Sequence, residues 1–417
     1  MATINMWIWG GGTAGKHLVR EEVRAFQKDC SGIFQKDHPG IDVEITLIPW
    51  QNAWESIMSA ANERKGPDIL QVGSTWNATL ADLGVLKDIT QEVENYGVRR
   101  DNFVPACWSS CLFPGSDRVT SLPWFADIRA MYYRKDIFQK LDLSADNLDN
   151  WNSFDQLCKT LKEYKKGNER LGVLGVSGQK ESLLIHNIAP WIWGAGGDFL
   201  TPDGHKAAFN HGEALNGIYF YLNLVCEGYI PHAALKLDSF EVARSFFNKG
   251  EYCMAIPGPA SGFLDTSHPE YNALLGESCA SALFPKGEAG RFIFCGGSNL
   301  GITSFAEHPK EAWEFIRFLT SYDSQSRYPK ILNMFPSLAE SFDSVFSDET
   351  TIWKGFENAW KYGRAFPNVP AWGAIESLLI ECFARIFARI QEKNYNLDLG
   401  REDLDKAAGE VDDLLAR

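Results

Sequence analysis

The chain contains no run of about 20 apolar residues, the length a helix needs to cross a bilayer, so no membrane-spanning segment is predicted. It also lacks an excess of basic residues. Forty Lys and Arg stand against 54 Asp and Glu, a formal net charge of −14. Nucleic-acid partners are excluded on that ground, because neutralising phosphates takes clustered Lys and Arg. Adhesion of the protein body to an anionic membrane surface is disfavoured for the same reason. Metal-binding cysteine spacing is missing too: the nine cysteines are scattered, with no C-x-x-C and no cysteine–histidine cluster. Nine is odd, so they cannot all pair within one chain. Only Cys107 and Cys111 lie close, at a spacing that suits one helical turn as well as a bridge, and most of the others read as small buried hydrophobes. There is no internal repeat and no low-complexity linker. No apolar export signal precedes the first strand, which leaves either a cytoplasmic protein or an exported one whose signal has been trimmed.

Aromatic residues are abundant instead. Fourteen Trp, 13 Tyr and 27 Phe make up 13% of the 417 residues, and many tryptophans fall at strand ends or in loops. With 45% hydrophobic and 23% charged residues, the chain otherwise has the composition of a soluble protein of two or three domains.

The stretch INMWIWGGGTAGKHLVREEVRAF, residues 4–26, reads as strand, glycine turn and helix. Gly10, Gly12 and Gly15 satisfy G-x-G-x-x-G, and Lys16 completes most of a phosphate-binding loop. The neighbouring residues argue against a nucleotide. A phosphate loop needs Ser or Thr after the lysine, and the residue there is His17. A dinucleotide site needs a carboxylate at the end of the second strand, and IDVEITLIPW ends in Pro49 and Trp50. The turn is therefore read as the rim of a cleft, and no cofactor is predicted.

IDVEITLI alternates apolar and polar residues, as an edge strand of a covered sheet does, and a helix over 52–64 leads to the short strand in GPDILQVG. This is βαβαβ, which predicts an α/β fold with parallel strands and ligands bound beyond their carboxyl ends. Further on, SLPWFADIRAMYYRKDIF reads as one extended segment running into a helix. Helices are expected near 153–165, 182–194, 210–227 and 238–248, followed by the strand YCMAI. A further strand is read in FIFCGGSNLGITSF, and then a helix with Ala312, Phe315, Ile316 and Leu319 on one face. The tail is helical, with Ile375, Leu379, Cys382 and Ile386 among its buried stripe.

Six segments together resemble the solute-binding proteins of ABC sugar importers, the large family that includes maltose-binding protein. They are AANERKGPDILQVGSTWNATLADLGVLKDIT, SLPWFADIRAMYYRKDIFQKL, WIWGAGGDFLTPDG, FFNKGEYCMAIPGP, CGGSNLGITSFAEHPKEAWEFIRFLTSYDSQ and NMFPS, in the family's order. The resemblance implies a two-lobed periplasmic-binding-protein-like fold of type II, with a ligand cleft between the lobes and three hinge crossovers near 119–123, 285–291 and 331–337. One lobe would comprise 1–119 and 290–331, the other 120–289 and 332–417. It further implies a monomer outside the cytoplasm, periplasmic or lipid-anchored. Such a protein would take a carbohydrate ligand, of two or more rings given the tryptophan count, and pass it to ABC transporter permease subunits.

Sugars present paired hydroxyls and flat C–H faces, so a site for them needs aromatic rings with a few fixed polar groups. By the resemblance, Asp127 in LPWFAD occupies the place of a sugar-binding carboxylate, and Trp372 that of a stacking tryptophan. Trp9, Trp50 and Trp76 end predicted strands or begin the loops that follow, with Gln51 and Thr75 beside them. Trp191 and Trp193 diverge by about 200° on a helix, so at most one faces a cleft, and Trp193 is preferred. Ser298 and Asn299 follow a glycine pair, and His186 reads as a structural histidine. Relatives often carry tryptophan after Gly-Pro where this chain has Ala260, which leaves the sugar undetermined. Rival readings are a glycosidase, which would need a second carboxylate that no candidate loop offers, and a receptor for a glycerol phosphate, for which Arg129 and Arg364 are the available cations.

Overall fold

The computed structural model describes residues 2–10, 16–257, 277–332, 334–345, 355–356 and 358–416. Gly12, Gly15 and Ala260 lie outside them, as do the side chains of His17 and Gln51. The chain divides into two compact units. The first takes in Met1–Asp127, Cys295–Ser347 and Asn368–Trp372; the second takes in Ile128–Phe294, Asp348–Pro367 and Gly373–Arg417.

In the first unit, β1 (Ala2–Gly10) leads through helix α1 (Lys16–Asp37) to β2 (Ile41–Pro49), and helix α2 (Trp50–Glu63) leads to β3 (Ile69–Gly73). β1 pairs in parallel with β2 from Ala2↔Ile41 to Gly10↔Pro49 and with β3 at Met6↔Ile69. The predicted βαβαβ unit is present, and β2 is the edge strand its alternation suggested. α1 buries Val23, Phe26, Cys30 and Phe34, the three- and four-residue spacing of a helix face against a sheet.

The sheet continues with β9 (Ile293–Ile302), β4 (Leu122–Ile128) and β10 (Phe335–Pro336) in the order β10-β4-β9-β3-β1-β2. β9 runs antiparallel to β3, with Gly73 opposite Ser298. β10 pairs antiparallel with β4, Phe335 against Ala126. Residues just past 331 thus belong to the first unit, not to the second as the sequence division has them. Buried Gln325 explains why: its amide donates to the carbonyls of Trp124 and Leu319 at 2.9 and 3.1 Å, and its oxygen accepts from the Ser337 N–H at 2.8 Å. One side chain therefore fastens β10 to β4.

In the second unit the sheet order is β6 (Gly172–Val176), β7 (Tyr252–Ile256), β5 (Met131–Arg134), β8 (Cys279–Ala282). The segment read as one extended run is two strands, broken at Arg129 and Ala130, with β4 in one sheet and β5 in the other. Residues 119–132 are buried at every position but Asp127, so no polar alternation marks the break. The helices Trp151–Tyr164, Ser182–Ala195, Gly212–Cys226 and Ser239–Phe247 lie close to their expected spans. Trp372–Gln391 and Leu397–Leu415 make up the helical tail. Among the described residues, no helix is long and apolar enough to cross a membrane.

Candidate ligand-binding site

The carboxyl ends of β1, β2 and β3 bring four tryptophans together. Trp9 is the penultimate residue of β1, Trp50 and Trp54 lie on the first turns of α2, and Trp76 follows β3. Trp9 and Trp50 have ring centroids 6.5 Å apart, Trp50 and Trp76 5.5 Å, and Trp54 and Trp76 5.6 Å. The Trp50–Trp76 and Trp54–Trp76 pairs meet edge to face at about 70°, a favourable arrangement of aromatic quadrupoles. Trp50 and Trp54 are 40% and 38% exposed, an uncommon cost for such large apolar rings. Trp54 was not among the residues singled out from sequence, although its spacing of four from Trp50 places both on one helix face.

Hydrogen bonds fix the base of this cluster. Trp9 is buried; its indole N–H donates to the Gln71 carbonyl, and its backbone N–H donates to the Gln71 side-chain oxygen at 2.9 Å. The Gln71 amide donates to the Ser298 hydroxyl at 2.7 Å. Asn299, also buried, donates to the Ser110 hydroxyl at 3.0 Å. The half-buried turn Ser74–Trp76, which contains Thr75, is held on β9: the Ser74 N–H donates to the Gly297 carbonyl at 2.9 Å, and the Gly297 N–H donates to the Ser74 hydroxyl at 3.2 Å. Gly297 in turn lies against Phe125 and Ala126. This puts Asp127, half-buried near the end of β4, on the same edge of the sheet as the tryptophans. Gln71 is a supporting residue that sequence alone did not indicate, since it sits mid-strand among apolar neighbours.

The other two predicted aromatics are fully buried. Trp372, 1% exposed, begins the helix Trp372–Gln391 and groups with the first unit. Trp193 belongs to the second unit, as does Trp191, and both are 1% exposed. The Trp193 indole N–H donates to Asp198 at 3.2 Å, and the Arg364 guanidinium lies 5.2 Å from its ring centroid while pairing with Asp198.

The second unit also holds a buried ionisable cluster. Arg129, His186 and Glu376 are 2%, 8% and 7% exposed. An Arg129 N–H lies 3.2 Å from His186 Nδ1, and because a guanidinium only donates, Nδ1 accepts. The neutral ring then carries its proton on Nε2, which faces Glu376 Oε1 at 3.6 Å. The imidazole is stacked on Phe294 with centroids 3.8 Å apart. His186 is thus held by residues far away in sequence.

Burial, and then the nearby Arg129, hold the His186 pKa well below its ordinary value, while burial pushes Glu376 up to about 8. Folded Glu376 keeps a proton that the unfolded chain releases above its ordinary 4.5, so its contribution to stability is full below that value and is lost as pH rises through 8. His186 acts in the opposite sense: stability increases as pH rises to its ordinary 6.5, where the unfolded imidazole also becomes neutral. Above that value Glu376 acts without this opposition. Between pH 6.5 and 8 the unfolding free energy should fall by about 2 kcal/mol, at about 1.4 kcal/mol per pH unit. Urea titrations across this range should show the slope in the parent protein and a flatter profile in Glu376→Gln. An equal slope in both would assign the effect to other groups.

Comparison with known proteins agrees with this architecture. The family model for bacterial extracellular solute-binding proteins matches residues 19–326. The diacetylchitobiose binding protein DasA of Streptomyces coelicolor is 20% identical over 349 residues, 80% of this chain and 75% of its own length. The sugar-binding protein MalE of the phytopathogen Xanthomonas citri superposes with a TM-score of 0.82 at 21% identity, covering 100% of this chain and 98% of that one. An ABC transporter solute binding protein of Thermotoga lettingae, bound with alpha-D-tagatose, gives 0.78 at 23% identity over 100% of both chains. At these identities the structural likeness is one of fold, whereas the family match covers well over half of the sequence. This chain is a member of the bacterial extracellular solute-binding protein family.

Proposed function

We propose that this protein captures a carbohydrate outside the cytoplasm and delivers it to the permease subunits of an ABC importer, as a monomer without chemistry of its own. The observation that carries the reading is the tryptophan cluster at the carboxyl edge of the first sheet, with two rings left open to solvent. Flat rings on the same sheet edge as a carboxylate suit a sugar's C–H faces and paired hydroxyls. Trp50, Trp54 and Trp76 would supply the stacking surface, with Asp127 and Thr75 the polar contacts. Trp9, Ser298 and Asn299 would brace that surface from behind, and Gln51, Trp193 and Trp372 are the further candidate contacts. Family membership supports residence outside the cytoplasm, whether free or lipid-anchored. The sugar named for each relative belongs to that relative, so the ligand here is assigned by class.

Calorimetric titration with a panel of mono-, di- and oligosaccharides, polyols and glycerol phosphates tests the proposal. Heat of binding with a sugar of two or more rings is the expected result. Silence toward every carbohydrate together with a response to a glycerol phosphate would move the protein to another ligand class, and turnover of a glycoside would make it an enzyme. Within the binding reading, the double change Trp50→Ala and Trp54→Ala should weaken the sugar about tenfold, at roughly 0.5–1.5 kcal/mol per lost ring. Because these rings also pack on Trp9 and Trp76, the melting temperature of the empty protein should fall, and the affinities are compared well below it. Unaltered affinity in the double variant would remove these rings from the site.

A further inference from the structure

Cys107 and Cys295 stand 188 residues apart in the chain, yet their Sγ atoms are 4.0 Å apart. Both side chains are buried, 1% and 0% exposed, and both belong to the first unit. Cys107 lies in the short helix Pro105–Ser109, and Cys295 is the third residue of β9. Two contacts hold helix and strand together around the thiols. The Cys107 thiol donates to the Gly296 carbonyl at 3.4 Å, and just beyond the helix the Ser110 hydroxyl accepts from Asn299 at 3.0 Å. The close sequence neighbour is turned away. The Cys111 thiol donates to the Cys107 carbonyl oxygen at 3.5 Å, so its sulfur addresses backbone rather than the Cys107 sulfur. The bridge that spacing alone allowed, between Cys107 and Cys111, is therefore not the one the fold prepares.

The geometry points to a Cys107–Cys295 disulfide as a modification of this protein in the oxidising space outside the cytoplasm. Closing the sulfurs to a bond of about 2.05 Å asks for a movement of about 2 Å. Two thiols become one S–S bond. The two electrons and two protons released pass to a disulfide oxidant, such as oxidised glutathione or the active disulfide of a thiol oxidase, which is reduced to two thiols. Donation of the Cys295 S–H to the Cys107 sulfur, and then burial, hold the Cys295 pKa well above the ordinary thiol value, so Cys295 carries little attacking thiolate in the folded protein. The bond accordingly forms as the chain folds, and the closed core then shields it from reductants. Its role is mechanical: it fastens the start of β9, which carries Gly297, Ser298 and Asn299, to the helix Pro105–Ser109. The inference rests on the family's extracellular placement and on the first unit, not on the carbohydrate reading.

The test is to refold the full chain with mixed reduced and oxidised glutathione, unfold it without reductant, and alkylate it with iodoacetamide. Intact mass should show seven modified cysteines, the nine of the sequence less two, against nine after prior reduction. Tryptic digestion should yield a species linking residues 101–118 to 292–310, and a further cut after Trp108 should leave the link on Cys107. Cys111→Ser should keep the link, while Cys107→Ser and Cys295→Ser should each abolish it. Reductant should lower the melting temperature of the parent protein but leave that of the Cys107→Ser/Cys295→Ser double variant unchanged. Nine alkylated cysteines in the refolded chain, a link confined to residues 101–118, or a link between any other pair would overturn the proposal.

Discussion

Asp127→Ala should weaken sugar binding roughly tenfold to 150-fold while leaving the melting temperature of the empty protein nearly unchanged. The magnitude follows from losing a charged hydrogen-bond acceptor, about 1.5–3 kcal/mol, and leaving ring hydroxyls without a partner. Little loss of stability is expected because Asp127 is the half-buried residue at the end of an otherwise buried strand and contributes nothing to the apolar core. Asp127→Asn should fall between the parent and the alanine variant, since an amide oxygen still accepts one hydroxyl but without charge. The decisive comparison is with the Trp50→Ala/Trp54→Ala variant. If both lose affinity for the same sugar, the carboxylate and the rings share one site. If Asp127→Ala binds normally while the tryptophan variant fails, the carboxylate belongs to the fold and the polar contacts lie elsewhere on that edge.

The largest stability effect is expected at Gly297. Its φ of +137° is a conformation that residues with a Cβ rarely adopt. A Cβ built there would also stand 1.9 Å from the Phe125 carbonyl oxygen and 3.0 Å from Ala126 Cα, both backbone atoms of β4 that no side-chain rotation can move aside. Gly297→Ala should therefore combine backbone strain with overpacking, at about 1–3 kcal/mol each, and lower the urea midpoint accordingly. Because β9 holds the turn Ser74–Trp76 through Gly297, any folded variant should also bind sugar more weakly. Gly32→Ala is the control. That exposed position in α1 has no atom within 4 Å of the added methyl, and alanine there should stabilise by about 0.5–1 kcal/mol. Equal midpoints for the parent and Gly297→Ala would mean that β9 does not approach β4 this closely.

Much of the first unit was legible from local pattern. The alternation of IDVEITLI gave an edge strand, the spacing of Val23 and Phe26 gave a buried helix face, and the order of these elements implied parallel pairing. Placing Trp9, Trp50 and Trp76 at strand ends needed no more than that, because the carboxyl ends of neighbouring parallel strands share one edge of a sheet. Other features left no local trace. The break between β4 and β5 falls in a stretch buried on both faces, where apolar periodicity carries no phase. Gln71 and Gln325 look like strand and helix residues of no special kind until their distant partners are in place.

The amino-acid sequence by itself determined the class of fold, the acidic and aromatic character that favours a sugar over a nucleic acid, and the family to which the chain belongs. The fold class and the composition-based preference follow from residue counts and from periodicities of two and 3.6 residues, which report burial within each element, whereas the family follows from the matching sequence segments. Only the tertiary structure decided which elements meet. It set Cys107 against Cys295 rather than Cys111, joined Arg129 to His186 and Glu376, and turned Trp54 toward Trp76 while burying Trp193 and Trp372. The physical reason is common to these cases. A thiol, an imidazole or an indole is compatible with several environments, and the choice among them depends on groups brought close by sheet order and packing, which local periodicity does not encode.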